Sequence, residues 1–364
     1  MHRATIDVYE AEGANYARRR GPQDPARPRR FAEAVDAGGA DRLRLDLGCG
    51  PGHPLPHRGG PAVAVDAAQA MAVAARHAAP EVAVVRADLE RLPFGRATFA
   101  GVWASKAHQH IGATDLPLAL AEVHRILTTG GRLELTMFGG EPGEEVTAPG
   151  GADDLPGRFF SWWDPARLAT VVEAAGFAVE DLTVVDTGPG TNPRLEVTAT
   201  AQLALPDHVR AGLRLLCCGL NPSIHAAEAG VGFVTPSNRF WRALAEVGIA
   251  QLDRDPRALA RAHGIGMTDL VKRATPRAAE LTTAEYRAGL ERLDALCRWL
   301  EPASVVMVGL AGWRAATDRK ARSGWQTRLI GGRPVYVMPS TSGLNAGTSL
   351  ADLARHLEAA LNGP

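Results

Sequence analysis

LRLDLGCGPG, residues 43–52, joins a short apolar run to three glycines within five positions. Leu43 to Leu47 reads as a buried strand, and Gly48, Gly50 and Gly52 read as a tight turn over which a ligand can approach the backbone. Working outward, strand-like apolar segments recur at 62–66, 82–86, 99–103 and 131–138, with helix-like segments at 67–78 and 116–127 between them. Strands alternating with helices predict an α/β fold with a doubly wound parallel sheet. A helix at 165–175 and a strand at 177–185 carry the pattern to about residue 187. Upstream, residues 1–40 are rich in Arg and Pro, and PQDPARPRR (22–30) is expected to be extended or irregular.

Downstream, DTGPGTNPR (186–194) is a Gly/Pro/Thr-rich break, and the VTATAQLALP that follows favours neither helix nor strand. The boundary is expected near 190–210, giving two domains, 1–200 and 201–364. The pattern then restarts. A strand at 213–218 leads through a turn to helices at 237–247 and 256–262. A strand at 267–271, a helix at 283–299, a strand at 304–308, a helix at 310–318, a strand at 334–338 and a helix at 348–361 complete it. This is a second α/β domain with a mostly parallel sheet in tandem with the first.

At 46% hydrophobic and 22% charged, the 364 residues have ordinary globular chemistry with enough apolar material for two cores. No apolar run approaches the roughly 20 residues a membrane span needs, and MHRATIDVYEAEG lacks the features of a signal peptide. Cys49, Cys217, Cys218 and Cys297 show neither metal-ligand spacing nor a paired framework. They read as reduced core thiols, with no metal site and a cytoplasmic setting. The formal net charge of zero conceals an asymmetry: residues 205–364 hold 20 Lys and Arg against 14 Asp and Glu, and the other 204 residues hold 20 against 26. A basic half joined to an acidic half fits a nucleic-acid module attached to something else.

Three features reinforce the glycine turn. VAVD puts Asp66 at the end of the second strand, twenty residues after Asp46, where a carboxylate can take the hydroxyls of an adenosyl ribose. RADLERLPF puts Asp88 at the end of the third strand. AEVHRILTTGGRLELT (121–136) reads as helix, glycine turn and buried strand. Together these segments resemble the class I S-adenosylmethionine (SAM)-dependent methyltransferases over roughly residues 30–187. The resemblance implies SAM as cofactor, held by Gly48, Gly50, Gly52 and Asp66, with Asp88 toward the adenine. A nicotinamide cofactor is the competing reading, and GCGPG favours SAM. Lys106, His108 and His110 fall where methyl acceptors bind in such proteins, and a histidine there can act as a base. The acceptor itself is not legible. The Asn-Pro-Pro-Tyr type of tetrapeptide that amino-methylating DNA and protein enzymes often carry is missing, and so is a Pro-Cys nucleophile, which argues against cytosine C5 chemistry.

In the second half, LRLLCCGL (213–220) runs into Asn221-Pro222-Ser223, and Phe233 follows within GVGFVTPSNRFWRAL. Near the C-terminus PVYVMP leads into Ser340-Thr341-Ser342-Gly343-Leu344-Asn345. Strand ends of a parallel sheet are where open α/β folds bind ligands. Asn221 can hold a water but is too weak a base to deprotonate one. Phe233 can stack on a flat ligand, and Leu344 on a tight loop can wedge into a base stack. Singly, each feature reads as readily as a turn, a core ring or a helix cap. In combination, GLNPS, FVTPSNRFW, TDLV (268–271) and VYVMPSTSGLN resemble the mismatch-specific uracil/thymine DNA glycosylases of the uracil-DNA glycosylase superfamily, over about residues 212–362. The resemblance implies an Asn-positioned water at Asn221 and a base stacked on Phe233. It also implies support from Asn238, a phosphate clamp at Ser340 and Ser342, and a wedge at Gly343 and Leu344. Such an enzyme needs no cofactor, and its partner is double-stranded DNA with uracil or thymine mispaired with guanine, acted on at a bacterial nucleoid. Two departures stand out. Asn345-Ala346-Gly347 occupies positions where family members often carry an Arg, and Ser223 stands where Gly is common.

The leading expectation is therefore a DNA repair glycosylase fused to a SAM-binding methyltransferase domain. The rival is a methyltransferase acting on a small molecule or nucleic acid, with the second half a DNA-binding or inactive module. A scaffold with both sites dead is the third.

Overall fold

The computed structural model describes residues 1–19, 24–39, 41–57, 59–149, 153–188, 190–249 and 254–364. They form two compact units, Met1–Gln202 and Leu203–Pro364.

The first unit opens with α1 (Arg3–Arg19) and α2 (Ala26–Asp36). Helix α2 corrects the expectation of extended or irregular chain over 22–30; Pro22 and Gln23 of that stretch lie outside the described residues. The prolines misled because their position in a helix decides their effect. Pro25 precedes α2 and Pro28 lies in its first turn, where backbone N–H groups have no intrahelical acceptor to lose. Burying Phe31, Ala32 and Val35 then holds α2 in place. Next come β1 (Arg44–Leu47), β2 (Ala62–Asp66), α3 (Gln69–Ala78), β3 (Ala83–Arg86), β4 (Phe99–Ser105), α4 (Leu116–Ile126) and β5 (Leu127–Gly139). The unit closes with β6 (Gly143–Val146), β7 (Phe159–Trp163), α5 (Pro165–Ala174), β8 (Phe177–Val185) and β9 (Arg194–Ala201).

The sheet order is β3-β2-β1-β4-β5-β7-β6, and its first five strands are parallel, as the alternation of strands and helices predicts. Strand β9 runs antiparallel to both β5 and β8. It covers much of the VTATAQLALP segment, for which neither helix nor strand was expected. Leu195, Val197, Ala199 and Ala201 face inward in strict alternation, a period that small Ala and Thr side chains mask in the sequence.

The second unit comprises β10 (Leu215–Gly219), α6 (Ile224–Ala229), α7 (Phe240–Glu246), α8 (Pro256–His263), β11 (Ile265–Asp269), α9 (Thr283–Leu300), β12 (Val305–Val308), α10 (Leu310–Ala316), β13 (Gly324–Trp325), β14 (Val335–Met338) and α11 (Leu350–Asn362). The strand order is β11-β10-β12-β14-β13, all parallel except β13. Strands β10, β12 and β14 are buried throughout, as continuous apolar runs covered on both faces must be. Strand order reverses between β10 and β12, so the carboxyl ends of β10, β11 and β14 form the edge where ligands bind in such sheets. Helix α11 begins at Leu350 behind a Ser349/Asp352 capping box. The 340–348 segment is thus a loop, and the helix starts two residues after the 348 expected. Among the described residues no helix is long and apolar enough to cross a membrane, and the four cysteines are free and buried.

Candidate active sites

In the first unit, Gly48, Gly50 and Gly52 follow β1 with φ of +74°, +53° and +83°. A Cβ on Gly48 would strike Ala107, whereas one on Gly50 would have nothing within 4 Å. The turn is therefore packed from below and open above Gly50. Asp66, at the end of β2, accepts from the Gly50 and Ala68 amides at 2.9 Å each. Burial pushes its carboxyl up to about 6. Gly48, Gly50 and Asp66 line one pocket with Asp46, Trp103, Ser105, Lys106 and His110, whereas Gly52 packs toward Ala75 outside that lining. Asp88 is not in that lining. It pairs with the Met1 amino group at 2.8 Å and accepts from the Glu90 amide.

The pocket gains a wall that the sequence reading missed, since α1 brings Tyr9 and Tyr16 to it. His110 Nδ1 lies 2.7 Å from the Phe159 carbonyl, which can only accept, so the proton sits on Nδ1. The opposite nitrogen, Nε2, therefore accepts from the Tyr9 hydroxyl at 3.3 Å. Arg158 in turn donates to the Tyr9 oxygen at 3.0 Å. Burial lowers His110 to about 4, which keeps its imidazole neutral at physiological pH. His108 lies outside the pocket lining, fully buried, with neither ring nitrogen hydrogen-bonded among the described residues. Lys106 lines the pocket with φ of +58°.

In the second unit, Asn221 follows β10. Its Nδ2 donates to the Pro222 carbonyl (3.1 Å), the Arg273 carbonyl (3.1 Å) and Thr275 Oγ1 (2.7 Å). Two of these partners can only accept, so the amide has one orientation and its Oδ1 is left to accept from something else. Phe233 stacks on Phe240 with centroids 4.3 Å apart and an interplanar angle of 25°. It adopts φ of +56°, a left-handed conformation costing of order 1–3 kcal/mol for a non-glycine residue.

The sequence reading also missed Asp269, at the end of β11. A Cβ on Gly219 would meet both Asp269 Oδ1 and, at 3.3 Å, Phe233 Cζ, so carboxylate and ring edge abut the same point above β10. Asp269 is only 7% exposed, and its carboxylate has no hydrogen-bond partner among the described residues. Burial, opposed by nearby Lys272, pushes it up to about 6. Its backbone is held from behind: Arg292 donates to the Asp269 carbonyl, and Arg292 and Lys272 both pair with buried Asp207 at 2.7 Å. TDLV named the segment without marking its acid, because a lone Asp after a strand is common.

The remaining residues shape loops. Asn238 Oδ1 accepts the Phe240 amide at 2.9 Å. Ser340 and Ser342 accept from the Ser342 and Leu344 amides at 3.2 and 3.3 Å, so their hydroxyl hydrogens are directed elsewhere. Leu344 is 97% exposed. Ser223 caps α6 through the Ala226 amide. Asn345 donates to the Ser340 carbonyl and to Thr348 Oγ1.

The uracil DNA glycosylase superfamily matches residues 206–362, and a methyltransferase domain matches residues 45–135. The chain carries one domain of each kind. Among solved structures, the 1,6-didemethyltoxoflavin-N1-methyltransferase of Burkholderia thailandensis, bound to 1,6-didemethyltoxoflavin and S-adenosylhomocysteine, is 21% identical. That likeness covers 54% of this chain and 85% of the other, with a TM-score of 0.42. A complex of the Haloferax volcanii Trm112 methyltransferase activator with a methyltransferase is 18% identical over 54% and 97%, with a TM-score of 0.42. A SAM-dependent methyltransferase of Methanosarcina mazei is 16% identical over 45% and 93%, with a TM-score of 0.40.

Proposed function

We propose that the glycosylase domain hydrolyses the N-glycosidic bond of uracil, and of thymine, mispaired with guanine in double-stranded DNA, within a bacterial cytoplasm. The observation that carries this reading is the fixed amide of Asn221, with Oδ1 left to accept, two residues after Gly219, where the Asp269 carboxylate and the Phe233 ring meet. The base is extruded at a cost of a few kcal/mol, least for a mispair, and stacks on the face of Phe233 that Phe240 leaves free. Ser340 and Ser342 hold the nucleotide's phosphate through their hydroxyls, and Leu344 fills the vacated stack. Asn221 Oδ1 orients a water toward the sugar carbon, and Asp269 takes the water's proton. The C–N bond breaks, its electron pair leaves with the base, and the water oxygen bonds the sugar carbon to give an abasic site. Labelled duplexes bearing G·U, G·T or A·U, treated with alkali after incubation with the full chain, test this. Scission at G·U is expected. No scission on any duplex or single strand would sink the reading and move the weight to the methyltransferase.

The methyltransferase domain, on this reading, binds SAM over Gly50, with Asp66 toward the ribose. Fit is supported by the open space above Gly50 and by two buried carboxylates, Asp46 and Asp66, facing one pocket. When bound, SAM supplies an electrophilic methyl group. Neutral His110 is placed to accept a proton through Tyr9. Gly50→Ala should keep the fold, because its Cβ meets no protein atom and left-handed alanine costs only about 1–2 kcal/mol. Calorimetry should nevertheless show SAM affinity falling about tenfold or more as ligand space is filled. Gly48→Ala should instead lower the melting temperature. Equal SAM affinity in Gly50→Ala and wild type would remove the assigned cradle.

A further inference from the structure

The 340–348 loop projects outward and yet is tied from within. Arg239, just before α7, makes most of the ties. Its backbone amide donates to the Thr341 carbonyl at 2.9 Å. Its guanidinium donates to the Ser342 carbonyl (3.2 Å), the Asn345 carbonyl (2.7 Å) and the Thr348 carbonyl. Three carbonyls on both sides of Leu344 thus converge on one planar fork, a geometry for which arginine is suited and lysine is not. Among the described residues no carboxylate pairs with Arg239. A Cβ on Gly343 would stand 2.6 Å from Ser237 Cβ, so the loop is also pressed against the segment that carries Arg239. That same segment, a few residues earlier, carries Phe233.

We infer that Arg239 is the positioning residue of the Leu344 wedge, setting the loop's shape in advance and tying it to the segment that stacks the extruded base. A free loop would lose conformational entropy each time Leu344 entered the duplex; the pre-shaped loop has already been ordered by folding. Arg239 touches neither the base nor the water in this scheme, and it acts through Leu344. The inference rests on the glycosylase reading.

The test is single-turnover excision from a G·U duplex by the full chain at saturating concentration, for wild type, Arg239→Ala, Arg239→Lys, Leu344→Ala and the Arg239→Ala/Leu344→Ala double variant. Arg239→Ala and Leu344→Ala should each slow excision about tenfold or more. The double variant should be no slower than Leu344→Ala alone, since a mispositioned wedge and a missing wedge remove the same interaction. Arg239→Lys should resemble Arg239→Ala, because one ammonium nitrogen cannot stand at the positions of both Nη1, which holds Thr348, and Nη2, which holds Ser342 and Asn345. If Arg239→Ala does not fold, Asn345→Ala, which removes the ties to Ser340 and Thr348, is expected to behave the same way. Multiplying effects in the double variant would overturn the inference. So would a wild-type rate in Arg239→Lys, which would mean that the charge alone serves DNA phosphates. Activity in wild type with unchanged activity in Arg239→Ala overturns the inference alone, whereas an inactive wild type overturns the glycosylase reading and this inference with it.

Discussion

Asn221→Ala is expected to lower single-turnover excision of uracil from G·U by at least about 10³-fold while leaving duplex binding nearly unchanged. The size follows from what is lost. Orienting a nucleophile at its target is worth orders of magnitude in rate, and Asn221 Oδ1 is the acceptor left over once Nδ2 has been taken by Pro222, Arg273 and Thr275. Binding should survive because phosphate contacts supply most of the affinity for DNA. Asn221→Asp should not rescue the rate, although it is isosteric. It would place a carboxylate oxygen against two carbonyl oxygens that now accept a proton each, and it would be repelled or forced to protonate. Gel-shift binding beside alkali-scission rates decides the matter. A variant within threefold of wild type would remove the Asn-held water from the mechanism.

Asp269→Asn should do two opposed things. Excision should fall by about 10²-fold or more, the usual worth of a positioned base. In the wild type the rate should rise about tenfold between pH 5 and 7 as Asp269 ionises near 6, and the variant's profile should lose that rise. Stability should move the other way. The acid's folded value lies above its ordinary value near 3.9, so the folded state holds the proton more tightly than the unfolded state. The protein therefore loses stability as pH climbs from about 4 through about 6, by on the order of 3 kcal/mol at neutral pH. Removing the charge should raise the melting temperature at pH 7.5 by about 5 °C, with the difference vanishing below pH 4. A variant that is slower and also less stable at pH 7.5 would mean that Asp269 is structural. The buried, unpartnered carboxylate would then have no role in excision.

Much of the fold was legible, because its signals are local. Short apolar runs such as LLCCG, VVMV and VYVM, bounded by turn signals, read as strands covered on both faces, and glycines after a strand mark a ligand turn. The site was legible only in part. Asn221, Phe233 and the 340–344 loop sit in distinctive combinations, but Asp269 is one acid in an unremarkable tetrapeptide. What makes it notable is the burial supplied by neighbouring strands and the lack of a partner. Tyr9 was hidden for a different reason. Nothing in the sequence around it marks a site, and only packing in the first unit places its hydroxyl on His110.

By itself, then, the sequence determined the α/β class, the alternation that makes both sheets mainly parallel, and the residue types available at the strand ends. Those properties follow from periodicity and composition, which are carried by neighbours in the chain. Tertiary structure alone decided which way the Asn221 amide points, that Asp269 stands unpaired beside Phe233, which His110 nitrogen holds the proton, and that Arg239 gathers the carbonyls of a distant loop. Each of these depends on groups far apart in the chain, from Phe233 and Asp269 to Arg239 and Thr348, 109 residues apart, and an orientation or a protonation state exists only once those partners are within hydrogen-bonding reach.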